Sequence, residues 1–295
     1  MFMIRDSFYD YLLLVKRYSL HTLNAYKTDL LQFQEYCDNS YNLTDDAQVT
    51  YPIVRSWLAS LVDSGLSARS INRKLSSLKV YFRYLLKEGF ISENPLLRAT
   101  SLGMPSRLPV FVSRNEMAAV LNEKNENTSF KERRDMLIVE ILYCTGIRLS
   151  ELINLRINDL DHAAATIKVT GKRNKQRIIP VTPSLIALID EYIRLRSAVA
   201  SPGVSEIIVT DQGKKAYPVF IYRKVGRALE AAGVKGRRSP HVLRHTFATH
   251  MLNEGADLNA IKELLGHSSL AATQVYTHIS IEKLKSIYKL AHPRA

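Results

Sequence analysis

One stretch decides the architecture before any helix is assigned. Residues 99–113, ATSLGMPSRLPVFVS, carry two prolines and a glycine. A helix does not run through such a segment, because proline lacks an N–H and drives the residue before it into extended backbone. The stretch reads as an extended linker over 99–112. The 295 residues are enough for two domains of ordinary size, so the chain is expected to fold as a helical domain over 1–98 and a second domain over 113–295. Asn94-Pro95 closes the first body.

The first body reads as short helices. In SARSINRKLSSLKVYFRYLLKEGF, Leu75, Leu78, Phe82, Leu85 and Leu86 recur at helical spacing. Ser67 suits the N-cap and Gly89 the stop. Tyr26, Leu30 and Phe33 make a second stripe; Val54, Leu58 and Leu61 make a third. These stripes read as core. The opposite side of the 67–89 helix carries Arg69, Arg73 and Lys79. Each alone reads as a solvated residue, but together they form a basic face that is a candidate DNA contact.

The second body opens at Ser113-Arg-Asn-Glu116, which has the spacing of a capping box. A helix over 133–144 follows, broken at Thr145-Gly146 and restarted from Ile147 to Leu155. TIKVTGKRNKQRIIPV places β-branched residues on both sides of Gly171–Lys175, a β-hairpin signal. Thr182-Pro183 starts another helix, since proline suits the first helical position. Glu206 to Thr210 reads as a further short strand. The fold class expected is mainly α with a small antiparallel sheet.

Charge narrows the partners. The net charge is +13, and a basic excess of that size favours a polyanion, most often nucleic acid. No run approaches the ~18 apolar residues a spanning helix needs, so a membrane is not expected as a partner. The N-terminus, MFMIRDSFYDYLLLVKRY, has an early acid and no small-residue cleavage site and does not read as a signal peptide. Cys37 and Cys144 alone make neither a disulfide framework nor a metal site. A cytoplasmic, reduced protein is expected.

The chemistry gathers in CTGIRLSEL and in SPHVLRHTFATH…LLGHSSLAATQVYTH. Ser239-Pro240 reads as N-cap and first helical residue, which puts His241 in the first turn. The positive end of the dipole attracts anions, and a neutral imidazole beside a bound phosphate makes His241 a candidate proton acceptor. Arg244, three residues on, shares its face. Arg148 follows the Thr-Gly break and falls near another helix start. Two guanidinium forks from two helix starts could clamp phosphate oxygens. Lys172 sits at the hairpin tip as a mobile donor, with Arg173 and Lys175 as competing donors. His267 follows Gly266 at a helix end, and Tyr276 can carry a covalent intermediate. Cations and N–H donors with few carboxylates suit an attack on a phosphodiester.

Taken singly, these residues read blandly. Most of the 15 tyrosines are packing residues, and Glu151 is a ready ion-pair partner for Arg148. His245 reads as a packing or hydrogen-bonded histidine and His250 as peripheral. The i, i+4 pair His241/His245 could hold zinc, but Val242 stands where a metallopeptidase carries glutamate. A Mg²⁺ nuclease would need clustered carboxylates, and there is no Walker-type loop for ATP. No cofactor or metal is expected.

In order and spacing, TGIRLSEL, GKRNKQRIIPV, HVLRHTFATH, LLGHSS and TQVYTH resemble the signature boxes of the tyrosine recombinases, the phage-integrase family. The resemblance spans the whole chain and within the family looks most like the Xer type. It implies a helical core-binding domain followed by a tyrosine-recombinase catalytic domain. It also places the family's arginines on Arg148 and Arg244, its hairpin lysine on Lys172, its histidines on His241 and His267, its nucleophile on Tyr276, and a supporting acid on Glu151. Implied partners are duplex DNA with an inverted-repeat core site and a homo- or hetero-tetramer of protomers, with a second Xer-type recombinase and a DNA translocase beside it. The C-terminal piece, SIEKLKSIYKLAHPRA, matches the segment that members of the family dock on a neighbour; packing on its own domain is the other reading. The rivals are a nicking–closing topoisomerase and a DNA-binding accessory protein.

Overall fold

The computed structural model describes residues 2–104, 110–121, 129–171, 174–266 and 281–294, the side chains of 2–4 and 281–283 excepted. The chain divides into two compact units, Met1–Arg107 and Leu108–Ala295, each with its own apolar core. It is mostly helical with one small antiparallel sheet. Among the described residues no helix is long and apolar enough to cross a membrane.

Helices α1 (Phe2–Asp10), α2 (Leu20–Tyr41), α3 (Tyr51–Asp63) and α4 (Ala68–Lys87) build the first unit, and a π-helical turn, Tyr11–Val15, continues α1. Short polar side chains start two of them. Ser19 Oγ accepts from the Thr22 N–H and Ser67 Oγ from the Ser70 N–H, each satisfying a donor that the first turn leaves open. The apolar stripes meet in one core of Leu30, Phe33, Val54, Trp57, Leu75, Leu78, Phe82 and Leu85. Phe33 meets Trp57 edge-on at 5.0 Å, a favoured aromatic geometry. Leu86 departs from the expected stripe: it is 40% exposed. Neighbouring helical residues point about 100° apart, so Leu85 takes the inward position and Leu86 cannot.

Beneath that core lies a buried charge. Asp29 is fully buried and accepts from Arg73 at 2.5 Å, Lys74 at 3.1 Å and Ser77 at 2.7 Å. Of the basic face on α4, Arg69 is exposed, Arg73 is half-exposed with its guanidinium on Asp29, and Lys79 donates to the Ala99 carbonyl at 2.5 Å.

The second unit begins with α5 (Arg114–Leu121), whose capping box is formed by Ser113 and Glu116 in both directions. Then come α6 (Phe130–Thr145) and α7 (Leu149–Asn154). The sheet follows: β1 (Leu160–Asp161), β2 (Thr166–Thr170) and β3 (Gln176–Pro180), in that order and antiparallel, with Ile167 opposite Ile179 and Val169 opposite Arg177. Four more helices precede a final one: α8 (Pro183–Ser197), α9 (Pro218–Ala231), α10 (Pro240–Asn253), α11 (Leu258–Leu265) and α12 (Ile281–Ala291). Helix α6 starts earlier than the expected 133, because Ser129 and Glu132 form a second capping box. It is buried on nearly every side and packs against α8, α9 and α10, as a core helix does.

Two expectations fail here. Glu206–Thr210 is not a strand; only isolated bridges occur, Arg156 to Glu206 and Val209 to Lys215. The carbonyls of Val204, Glu206 and Ile207, which a ladder would use, accept instead from the Arg196 guanidinium. His250 is not peripheral. It is 2% exposed, and its Nδ1 lies 3.0 Å from the Tyr143 hydroxyl. Helix α12 and the residues after it pack on their own unit: Tyr288 donates to the Cys144 carbonyl at 2.9 Å and, beyond the helix, Arg294 to Glu140 at 2.8 Å.

Candidate active site

Helix α6 ends where Gly146 turns left-handed, at φ +60°. A side chain there would strike Phe247, so only glycine lets the chain turn this tightly. Two residues later Arg148 is the N-cap of α7, in extended backbone. Its N–H donates to Glu151 Oε2 at 2.7 Å. Its guanidinium donates to Glu151 Oε1 at 2.9 Å and to the Gly266 carbonyl at 2.8 Å. The side chain stays 28% exposed.

Arg244 lies one turn into α10, on the face begun by His241. It donates to the Gly146 carbonyl and, at 2.7 Å, to the Leu265 carbonyl. Burial, then the charge of Arg148, lowers its pKa to about 10, which leaves it charged at neutral pH. His241 itself is exposed at the start of the helix. Lys175 is exposed, and its carbonyl accepts from the Gly171 N–H at 2.8 Å across the hairpin. A Cβ built on Gly171 would lie 3.2 Å from Glu151 Oε1, so the hairpin leaves the sheet beside that carboxylate. Lys172, Arg173, His267 and Tyr276 lie outside the described residues.

A further arginine completes the cluster. Arg177 on β3 grips Glu151 bidentately, at 2.8 and 2.9 Å, and its Nε donates to the Leu264 carbonyl at 2.7 Å. Sequence reading passed it over inside QRIIP. The signal was the strand's alternation: Arg177 shares a face with the fully buried Ile179, while Ile178 between them is 40% exposed. A cation on the inward face of a strand needs a buried anion.

Three successive carbonyls at the end of α11 thus each hold one arginine: Leu264 takes Arg177, Leu265 takes Arg244, and Gly266 takes Arg148. The negative end of a helix dipole favours cations there. Among the described residues Glu151 is the carboxylate that meets these arginines, and its side chain is 1% exposed. Burial alone would raise its pKa, but the hydrogen bonds from Arg177 and the Arg148 N–H, with the charge of Arg177, hold it down at about 2. A group depressed from the ordinary carboxylate value stabilises the fold at pH above that value and loses its contribution as pH falls through about 2. Glu151→Gln is therefore expected to lower stability at neutral pH and to flatten the acid loss between pH 4.5 and 2. Denaturant midpoints measured across that range check this; equal slopes for both proteins would refute it.

The pattern of the Phage integrase family matches residues 111–283, and that of its N-terminal SAM-like domain matches residues 6–89. The chain is 38% identical to the tyrosine recombinase XerC of Oceanobacillus iheyensis, over 98% of this chain and 96% of that one. It is 37% identical to the tyrosine recombinase XerC of Anoxybacillus flavithermus, over 98% and 97%. Among solved structures it resembles the XerH site-specific recombinase in a post-cleavage complex with a palindromic difH substrate. The TM-score is 0.73 at 25% identity, covering 91% of this chain and 79% of that one.

Proposed function

The chain belongs to the phage integrase family and is a site-specific tyrosine recombinase, and from that premise we propose that Tyr276 is its nucleophile and the Arg148–Arg244 pair its phosphate clamp. The observation that carries this is the convergence of two guanidinium groups, from the α7 N-cap and from α10, on one helix end with the Glu151 carboxylate beside them. Such fixed donors stabilise charge as it develops on phosphoryl oxygens and need no reorganisation during the reaction.

The Tyr276 phenolic oxygen attacks the scissile phosphorus and gives up its proton to His241. The bond to the 5′ oxygen breaks, and Lys172 supplies the proton that leaves a 5′-hydroxyl. The product is a 3′-phosphotyrosyl link. Arg148 and Arg244, helped by His267, stabilise the transition state, and Glu151 supports Arg148. The covalent link conserves the phosphodiester energy, so a 5′-hydroxyl from the partner strand attacks it and releases Tyr276 without ATP. Four protomers on two inverted-repeat sites exchange strands pairwise through a Holliday junction. In this reading residues 1–98 are the core-binding domain and 113–295 the catalytic domain. Arg69, Arg73, Lys79, Arg173 and Lys175 contact the duplex backbone. The protein acts on nucleoid DNA in the cytoplasm, beside a second Xer-type recombinase and a DNA translocase.

A plasmid carrying two target sites tests the reaction. Recombinant circles are the expected product; relaxed plasmid alone would make the protein a topoisomerase, and unchanged plasmid an accessory binder. Duplex affinity is expected to fall steeply with salt, by about −0.9 in log–log slope per phosphate neutralised. A flat titration would refute contacts from both domains.

Lys172→Ala is expected to slow cleavage of a normal duplex far more than of one carrying a 5′-bridging phosphorothiolate. The sulfur leaving group scarcely needs a proton, whereas an alkoxide does. Single-turnover rates for Lys172→Ala, Arg173→Ala and Lys175→Ala on both substrates decide it. Rescue by sulfur of Arg173→Ala or Lys175→Ala, but not of Lys172→Ala, would overturn the assignment.

A further inference from the structure

Arg177 makes more bonds to this site than any role so far assigned to it explains. It reaches from β3 to both Glu151 oxygens and to the Leu264 carbonyl. Its side chain is 13% exposed. A Cβ built on Gly266 would come within 3.1 to 3.3 Å of the guanidinium and Cδ of Arg177, so the last turn of α11 is seated directly on it. Arg148 uses the same two landmarks: it donates to Glu151 Oε1 and to the Gly266 carbonyl. Arg177 and Arg148 therefore grip one carboxylate and one helix end from different elements. A bidentate guanidinium fixes a carboxylate's plane as well as its place. With Glu151 so held, the Arg148 fork has one orientation in which both of its own bonds are made.

We propose that Arg177 is a positioning residue for strand cleavage, locking Glu151 and the end of α11 so that the Arg148 guanidinium is presented to the scissile phosphate. The inference rests on the reading of Arg148 as part of the phosphate clamp. Arg177 acts through Glu151, not on DNA. Removing it leaves a nearly buried carboxylate held from one side only, free to draw Arg148 inward and away from the phosphate. A lysine cannot substitute fully, because an ammonium does not span both carboxylate oxygens and a carbonyl at once.

The test uses the full chain and a nicked suicide duplex under single-turnover conditions, with duplex affinity and thermal melting measured alongside. Arg177→Gln is expected to cleave about 100-fold more slowly, the scale of a small misplacement of a reacting group, with duplex affinity close to the parent's. Arg177→Lys is expected to fall between the two. Among the described residues the charged groups facing Glu151 are Arg177 and Arg148, with Arg244 beyond them. With Arg177 gone, Glu151 protonates more readily, and the rate–pH profile of Arg177→Gln gains an acid limb absent from the parent. The double variant Arg177→Gln/Glu151→Gln loses that limb. A residue that merely holds the fold would lower melting and binding and create no limb.

Arg148→Gln separates the two readings. If it cleaves normally, the phosphate clamp is wrong. If it is crippled while Arg177→Gln cleaves like the parent, the clamp stands and the positioning role falls. Slow cleavage by Arg177→Gln that follows its loss of folded protein, with no acid limb, overturns the positioning role as well.

Discussion

Tyr276→Phe is expected to abolish covalent trapping on a nicked suicide duplex while duplex affinity stays close to the parent's. The substitution keeps the ring and removes one oxygen. If that oxygen is the nucleophile, no phosphotyrosyl bond forms and no neighbouring group replaces it. Binding is carried by the basic surface, reflected in the +13 net charge, which the change leaves intact. The denaturing gel reads the outcome directly, since a covalent adduct survives denaturation and a non-covalent complex does not. A persistent adduct in the variant would remove Tyr276 from the mechanism.

Arg244→Lys comes next in size, with cleavage slowed about 100- to 1000-fold, the usual cost of losing one fixed donor to a developing oxyanion. Arg244 already spends donors on the Gly146 and Leu265 carbonyls, and in the proposed clamp its remaining donors take the phosphate. An ammonium cannot hold both carbonyls and still present a fork. The site also works against a lysine's charge. Burial and Arg148 lower even the arginine, to about 10. The same forces push a lysine down from its ordinary range towards the assay pH. Arg244→Lys should therefore recover rate as pH is lowered, because the ammonium charges below its pKa, whereas Arg244→Ala should not. A lysine variant that cleaves at the parent's rate would show that the fork is dispensable.

What the sequence disclosed was mostly local. Ser67, the Ser113–Glu116 box and Thr182-Pro183 mark helix starts because capping is decided within a few residues. The two-residue spacing of β2 and β3 was legible for the same reason. Where a distant partner decides, the reading failed. Leu86 and Leu85 compete for one inward position, and only the packed core chooses between them. The 206–210 segment looks like a strand until Arg196 takes its carbonyls. His250 looked peripheral because Tyr143, its partner, lies more than a hundred residues away. Arg148 and Arg244 stood out as cations near two helix starts, Glu151 as a partner for Arg148, and the order of the boxes linked them; their meeting at the end of α11 was not visible in any one box. Arg177 went unnoticed because a charge on an inward strand face carries meaning only once its anion is located.

The acceptors at the end of α11 have a genetic consequence. They belong to the main chain, so exchanging the side chains of Leu264 or Leu265 alters packing but deletes neither acceptor. An arginine cluster anchored on carboxylate side chains could be disarmed by a single codon change at any of them; here, among the described residues, only Glu151 is vulnerable in that way. The hereditary weak points of the anchor shift to Gly146 and Gly266. Both turn left-handed, and any new side chain at either would meet Phe247 and Leu265 or Arg177 before it changed any charge.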